Sequence, residues 1–205
     1  MKQFSLIRRY CGVLPLLGLV ACGSAPVHYY QLQASIPLHQ QVQAGTVLLV
    51  EPANLPADVD RPQLLLEDEQ GRPQLQEQHY WTASLSRLLT QAVTGNLSNQ
   101  LALSTIYAAP QRSLSHHDLS LYLDIRQFRL QRGTEVRLSA AWHLDRAGKI
   151  SPVLQGFFNQ SLPVNSSTNA ALVQAQQQLV RMMSEQIGTA LQVEFARQTV
   201  PLHEG

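Results

Sequence analysis

The residues from 119 to 144 constrain the fold most strongly, because apolar and polar side chains alternate over two consecutive stretches. The apolar positions are Leu119, Leu121, Leu123 and Ile125 in the first stretch and Val136, Leu138, Ala140, Trp142 and Leu144 in the second. A period of two puts alternate side chains on opposite faces of a strand. With a turn at 131–134 and a third strand expected at 153–162, the pattern predicts an antiparallel meander with one face in water.

The alternation is interrupted once inside the first stretch. Phe128 and Leu130 are apolar at even positions, whereas the apolar residues before them are at odd positions. One extra residue in a strand shifts the parity in this way, so we expect a bulge or twist near Arg126 and Gln127.

Shorter apolar runs predict the remaining strands. We expect strands at 28–32, 46–50 and 101–106, and a hairpin formed by 62–68 and 74–80.

Two segments have a helical period instead. The first runs from about Thr82 to Asn99 and the second from Ser167 to Phe195, each with one apolar stripe for a core. Two helices among these strands predict an α+β fold: a single mixed, largely antiparallel sheet with the two main helices packed on one face.

The pattern of residues at the amino terminus indicates a targeting segment. Lys2, Arg8 and Arg9 precede an uncharged apolar run, 10–21, which is too short to span a hydrocarbon core of about 30 Å. The run ends in Leu-Val-Ala-Cys-Gly at 19–23, which is similar to the lipobox of bacterial lipoproteins. That similarity implies cleavage before Cys22 and a lipid on its sulfur. We expect no cofactor other than this covalent lipid. A transmembrane anchor, or an ordinary signal with a chance cysteine, is the alternative.

These observations divide the chain into four parts. We expect a lipoprotein signal peptide at 1–21, the lipidated Cys22 with a short tether at 22–28, one α/β domain at 29–199 and a tail at 200–205. Cys11 lies in the segment to be removed, so the mature chain keeps Cys22 alone and cannot form an internal disulfide.

The charge composition argues against nucleic acid as a partner. Charged residues are 14% of the chain, and once three of the fifteen basic residues leave with the signal, twelve remain against fourteen acidic ones. Phosphate binding requires clustered Lys and Arg, which this balance does not provide.

No catalytic or nucleotide-binding motif is present. The GxSxG, GxxxxGK[ST], GxGxxG, HExxH and CxxC patterns are all missing, so no residue is nominated as catalytic or as a metal ligand. Three polar groups leave an alternative open. His116-His117-Asp118 is either a metal site or a solvated loop. Glu67-Asp68-Glu69 is either a divalent-cation site or an acidic strand end. Asp124 and Glu135 are either a carboxylate pair for acid–base chemistry or partners in surface ion pairs.

Several segments together carry a family resemblance. They are Cys22, the Tyr-Tyr-Gln-Leu run at 29–32, the Leu-Pro-Ala-Asp-Val-Asp-Arg-Pro-Gln-Leu run at 55–64, Tyr80-Trp81 and the helix that follows. With these motifs the mature chain resembles the PqiC-like family of ABC-type transport auxiliary lipoproteins along essentially its whole length.

The resemblance implies a non-catalytic lipoprotein at the periplasmic face of the outer membrane. Its partner would be an MCE-domain protein that carries lipid between the two membranes, and copies of the chain would form a ring. The residues expected to shape the partner-binding surface are Tyr29, Tyr30, Arg61, Pro62 and Trp81. Packing within the core or hairpin is the other interpretation of each residue.

A second function class fits the same anchor. A small periplasmic lipoprotein can instead activate a peptidoglycan synthase or assist outer-membrane assembly. A protein that crosses the cell-wall mesh would need a long tether, whereas only residues 23–27 separate Cys22 from the first predicted strand. A lipid-modifying hydrolase is a third interpretation.

Overall fold

The structure is a computed structural model that describes residues 25–38, 40, 42 and 45–199. The predicted signal peptide, Cys22 and the tail at 200–205 lie outside the described residues. Within them the strands are β1 (His28–Tyr30), β2 (Leu48–Val50), β3 (Gln63–Glu67), β4 (Pro73–Trp81), β5 (Ile106–Ala108), β6 (Leu119–Gln131), β7 (Glu135–Arg146) and β8 (Leu154–Pro163). The helices are α1 (Leu85–Leu101) and α2 (Asn169–Thr199).

All eight described strands join one mixed sheet around the long strand β6. On one side of β6 lie β7 and then β8, both antiparallel to their neighbours. On the other side the sheet divides. At the start of β6, β2 pairs parallel with residues 119–121 and β5 pairs parallel with β2. At the far end of β6 lie the β3–β4 hairpin and β1. With two helices, this architecture confirms the α+β prediction.

The predicted meander and its irregularity are both confirmed. β6 and β7 pair along their whole lengths, and the register shifts between Ile125 and Gln127. Beyond this bulge the buried positions change from odd to even numbers, so Phe128 and Leu130 face the core as Ile125 does before it. The bulge therefore keeps a thirteen-residue strand apolar on its inner face.

One predicted strand is wrong in position. Residues 101–106 were expected to be a strand, but α1 extends to Leu101 and β5 begins only at Ile106. Leu97 and Leu101 are four residues apart and both contact the core, so Leu101 continues the helical stripe and the helix ends two residues later than expected. Ala102 then ends the helix with φ 54°, and the Leu103 N–H donates to the Ser98 carbonyl at 3.0 Å.

A buried asparagine connects the two helices to the chain before β2. Asn96 on α1 is fully buried. Its Oδ1 accepts from the Ser35 and Ile36 N–H groups at 2.7 and 3.0 Å, and its Nδ2 donates to the Ser184 hydroxyl on α2 at 3.2 Å.

Neither described helix has an apolar stretch long enough to cross a membrane.

Candidate interaction surface

The fold brings together the three segments for which the sequence analysis predicted partner binding. β1 runs parallel to the end of β4, with Tyr29 opposite Tyr80 and Tyr30 opposite Trp81. The Trp81 N–H donates to the Pro62 carbonyl at 2.8 Å. We call this region the β1–β4 edge, and its members are Tyr29, Tyr30, Arg61, Pro62, Tyr80 and Trp81.

The members of the β1–β4 edge differ in what they offer to a partner. Tyr29 is 68% exposed and its ring lies 6.2 Å from that of Tyr80, and Pro62 is also exposed. Trp81 is only 5% exposed and meets the Phe128 ring edge-on at 6.2 Å. Trp81 therefore supports the surface from the core, and a partner can contact Tyr29 and Pro62 directly.

Arg61 lies at the start of the hairpin with its guanidinium partly enclosed. Its Nε is buried and finds no hydrogen-bond partner among the described residues, and its own backbone N–H donates to the Val59 carbonyl at 2.9 Å. A buried N–H without an acceptor is costly, so this guanidinium is suited to an acceptor supplied from outside the described chain.

Two histidines and a tyrosine pack together across β1 and β4. The rings of His28 and His79 stack at 4.8 Å, and the Tyr30 hydroxyl shares a hydrogen bond with His79 Nδ1 at 2.9 Å. Burial lowers the pKa of His79, and the nearby charges of His28 and Arg132 lower it further. Burial also raises the pKa of Tyr30, which its hydrogen bond with Asn169 partly opposes.

Arg132 ties this packing to the start of α2. Its guanidinium donates to the Ser167 carbonyl at 2.9 Å, to Gln76 Oε1 on β4 at 3.0 Å and to Asn169 Oδ1 at 3.1 Å. Arg132 thus joins β4 to the start of α2 through polar contacts.

The remaining polar groups are engaged within the fold. In the 116–118 loop, His117 Nε2 lies 2.9 Å from the Ser120 hydroxyl, and Asp118 accepts from the Val47 N–H at 2.8 Å. Nowhere in the described ranges do three or more His, Cys, Asp or Glu residues form a possible metal site.

The acidic residues at the end of β3 form ion pairs with arginines. Glu67 accepts two hydrogen bonds from Arg129, at 2.7 and 2.6 Å, and these raise the pKa of the arginine. The Arg72 N–H donates to Asp68 at 2.9 Å and, as the largest cause, lowers the pKa of that carboxyl.

Asp124 and Glu135 do not form a carboxylate pair. Asp124 lies opposite Ala141 and accepts from the Asn54 amide at 2.9 Å. Glu135 forms an ion pair with Arg137 at 2.8 Å, and the hydrogen bond from Arg137 lowers the pKa of the Glu135 carboxyl. The antiparallel register sets the two carboxylates at different levels of the sheet, which supports the ion-pair interpretation of Glu135.

Sequence reasoning missed a cavity beside β6. It has a volume of about 290 Å³ and lies between the 56–59 loop, β3 and residues 126–130 of β6. The predicted bulge and the prolines that end β2 are the local signals for it, but the gap between β3 and β6 depends on how distant segments meet in the sheet.

The sequence matches one family model over residues 30–188, and the family is described as the ABC-type transport auxiliary lipoprotein component. The match includes β1 to β8, apart from the first two residues of β1, and most of α2. No curated protein has a sequence that matches this chain.

Solved structures share the fold. A protein from Xanthomonas campestris superposes with a TM-score of 0.66 at 18% identity, over 83% of this chain and 99% of its own. A protein described as uncharacterized superposes with a TM-score of 0.64 at 20% identity, over 82% and 99% of the two chains. At these identities the likeness shows the fold.

Proposed function

Because this chain belongs to the family of ABC-type transport auxiliary lipoproteins, we propose that it is a non-catalytic docking subunit that holds an MCE-domain lipid transporter at the outer membrane. The family supports an auxiliary role in transport and attachment to an envelope membrane. The match over residues 30–188 is the observation that carries the proposal.

The anchor is the first part of the proposal. Cys22 carries the lipid, with palmitate among its acyl chains, and Gly23 after it directs the chain to the outer membrane, since an Asp there would favour retention at the inner membrane. A Cys22→Ala variant should lose fatty-acid labelling and membrane attachment. Undiminished palmitate incorporation in that variant would overturn the anchor.

The β1–β4 edge is the proposed partner-binding surface. Tyr29 and Pro62 are exposed and lie on the first strand and hairpin after the tether, and aromatic side chains are favoured anchors at interfaces. Arg61 adds a buried donor without a partner in the described part of the chain. Trp81 is buried and holds Pro62 through a backbone hydrogen bond, and Tyr30 pairs with Trp81 in the register of β1 with β4.

The partner is tested by purifying the lipidated protein from native membranes after mild crosslinking. Co-purification of an MCE-domain protein, with crosslinks at the β1–β4 edge, is the expected result. Recovery of a peptidoglycan synthase without any MCE protein would establish the alternative class instead.

Two matched tyrosine variants show whether the edge carries the contact. Tyr29→Ala should reduce recovery of the MCE partner about tenfold, a loss of roughly 1.4 kcal/mol. Tyr122→Ala removes a tyrosine that is 38% exposed elsewhere on the sheet, on β6, and should leave recovery unchanged. Equal recovery with both variants would remove the β1–β4 edge from the proposal.

A ring of copies is the proposed assembly, and β8 offers an edge for it. β8 pairs with β7 alone among the described strands, and its ten residues carry no charge that would oppose pairing with another chain. Native mass spectrometry of the lipidated protein in detergent should show one closed oligomer. A monomer at all concentrations would refute the ring.

The absence of catalysis is tested separately. Purified protein should not hydrolyse phospholipid esters above the rate of a buffer control. Turnover that persists through successive purification steps would replace docking with a hydrolase function.

A further inference from the structure

Strand β6 has an unpaired stretch along one edge. On the side away from β7, residues 119–121 pair with β2, Asp124 forms an isolated bridge with Asn54, and Gln131 pairs with Glu67 on β3. No described strand pairs with this edge between Ile125 and Gln131. At about 3.3 Å per residue this gap is roughly 20 Å long.

The hydrogen bonds at both ends of the gap show which backbone groups face it. The Ile125 N–H donates to the Asn54 carbonyl and the Arg132 N–H to the Glu67 carbonyl, each at 2.9 Å. Backbone groups of a strand face the same edge at every second residue, so counting back from Arg132 places the N–H groups of Leu130 and Phe128 at the gap. Unpaired groups of this kind form a template for another strand.

A cavity of about 290 Å³ lies along this stretch. Pro56 and Val59 from the loop after β2 and Leu65 from β3 provide apolar walls, and residues 126–130 of β6 form the other side. The ion pair of Arg129 with Glu67 joins β6 to β3, at 2.6 Å. The space is thus bounded by apolar side chains on one side and a strand edge on the other.

The charges at the site argue for an uncharged occupant. Glu67 and Arg129 neutralise each other, and the remaining charged residues of the lining, Asp58 and Arg126, have opposite signs. The Arg126 guanidinium lies over the Phe157 ring at 5.3 Å. A phosphate or an anionic lipid headgroup would meet no excess of positive charge here, whereas a peptide backbone would meet donors and acceptors at strand spacing.

We propose that this gap, the β6 gap, binds a short extended segment of a partner protein, which adds to β6 as a strand beside Phe128 and Leu130. A small apolar side chain of that segment packs between Val59 and Leu65. The β6 gap is separate from the β1–β4 edge, and the proposal does not depend on lipid transport or on an MCE partner.

Amide hydrogen exchange of the full lipidated protein in detergent micelles, followed by NMR, tests the open edge. The Phe128 and Leu130 amides should exchange at least about 100-fold faster than those of Gln127 and Arg129, which face β7. Equal protection of all four amides would show that the edge is already satisfied and would overturn the proposal.

A defined peptide tests whether the β6 gap binds an extended segment. Acetyl-Ser-Val-Thr-Val-Ser-amide, titrated to about 10 mM, should shift the Phe128 and Leu130 amide signals in a saturable way. The same peptide N-methylated at its three central residues keeps the side chains but loses strand pairing, and should bind at least tenfold more weakly. Equal binding of both peptides, or no saturable shift, contradicts strand addition.

Three variants locate the binding. Val59→Lys and Leu65→Lys place a charged chain in the apolar wall and should each weaken peptide binding about tenfold. Ile150→Lys changes a fully exposed residue in the β7–β8 turn and should have no effect. Peptide-induced shifts on β8 instead of β6, unaffected by Val59→Lys, would assign the peptide to the outer sheet edge and reject the β6 gap.

Discussion

At the scale of single residues, Gly156 shows how closely the sheet is packed. It lies directly opposite Trp142 in the β7–β8 register, and a Cβ at this position would come within 2.6 Å of indole Cε2. Since Trp142 is buried, its ring has little room to move aside.

Gly156→Ala should therefore lower the free energy of unfolding by about 1–3 kcal/mol, as other overpacked sites do. Urea unfolding measures the change, with Gln155→Ala at the exposed neighbouring residue as the control. If the two variants are equally stable, the indole moves without cost and the packing argument fails.

His79 gives the protein a pH dependence of known sign. Its pKa is lowered in the folded state, chiefly by burial, so the unfolded chain binds more protons as the pH falls through the ordinary histidine value of about 6.5. The contribution of His79 to stability is therefore present above that value and is lost progressively as the pH falls towards the lowered pKa.

Urea unfolding of His79→Asn between pH 7.5 and 5 tests this dependence. The Asn amide can accept from or donate to the Tyr30 hydroxyl but does not titrate, so the loss of stability on acidification should be smaller than in the parent protein. His116→Asn, in an exposed loop, should retain the parent slope. A slope unchanged by His79→Asn would remove this histidine as the cause.

At the scale of elements, Asn96 joins three parts of the chain that are distant in sequence. It holds residues 35 and 36 through two backbone hydrogen bonds and contacts Ser184 on α2 through a third. Asn96→Ala leaves the N–H groups of residues 35 and 36 without an acceptor, and we expect a loss of about 2–4 kcal/mol in unfolding free energy.

The Asn96→Ala loss is measured by urea unfolding, with Gln178→Ala on the exposed face of α2 as the control. Hydrogen exchange of the Ser35 and Ile36 amides should accelerate in Asn96→Ala more than exchange of the core strands. Unchanged protection of both amides would mean that water replaces the asparagine without loss.

The elements also show what the sequence could and could not predict. The alternation from Leu119 to Leu144 predicted the meander, and the even positions of Phe128 and Leu130 predicted the bulge, because local side-chain period and burial are linked directly. The end of α1 was predicted too early, since Leu101 fits a helical stripe and a strand equally well.

The parts of the site that depend on pairing between distant segments were harder to predict from the sequence. The sequence nominated Tyr29, Pro62 and Trp81 together, and they do meet, but only the register of β1 with β4 shows that Trp81 is buried. The β6 gap arises because β3 pairs with β6 only at its last residue, Glu67, and no local pattern encodes the separation of the two strands before that point.

At the scale of the whole molecule, the tether limits where the β1–β4 edge can be. β1 begins at His28, six residues after Cys22. At about 3.5 Å per residue the chain between them spans at most roughly 20 Å, so a lipid on Cys22 would hold the edge close to the membrane surface. Docking through Tyr29 would then occur at a fixed height above the bilayer.

Lengthening the tether tests whether this height matters. A twenty-residue Gly/Ser insertion between Ser24 and Ala25 adds a flexible chain of about 25 Å root-mean-square length and leaves every described element intact. Fatty-acid labelling and unfolding free energy should stay at parent values, while crosslinking of the proposed MCE partner at the β1–β4 edge should fall several-fold, because the edge is no longer confined near its target. A two-residue Gly-Ser insertion at the same place controls for the break in sequence and should crosslink as the parent does. Full crosslinking with the long insertion would show that the edge finds its partner without help from the anchor, and the short tether would then have no part in docking.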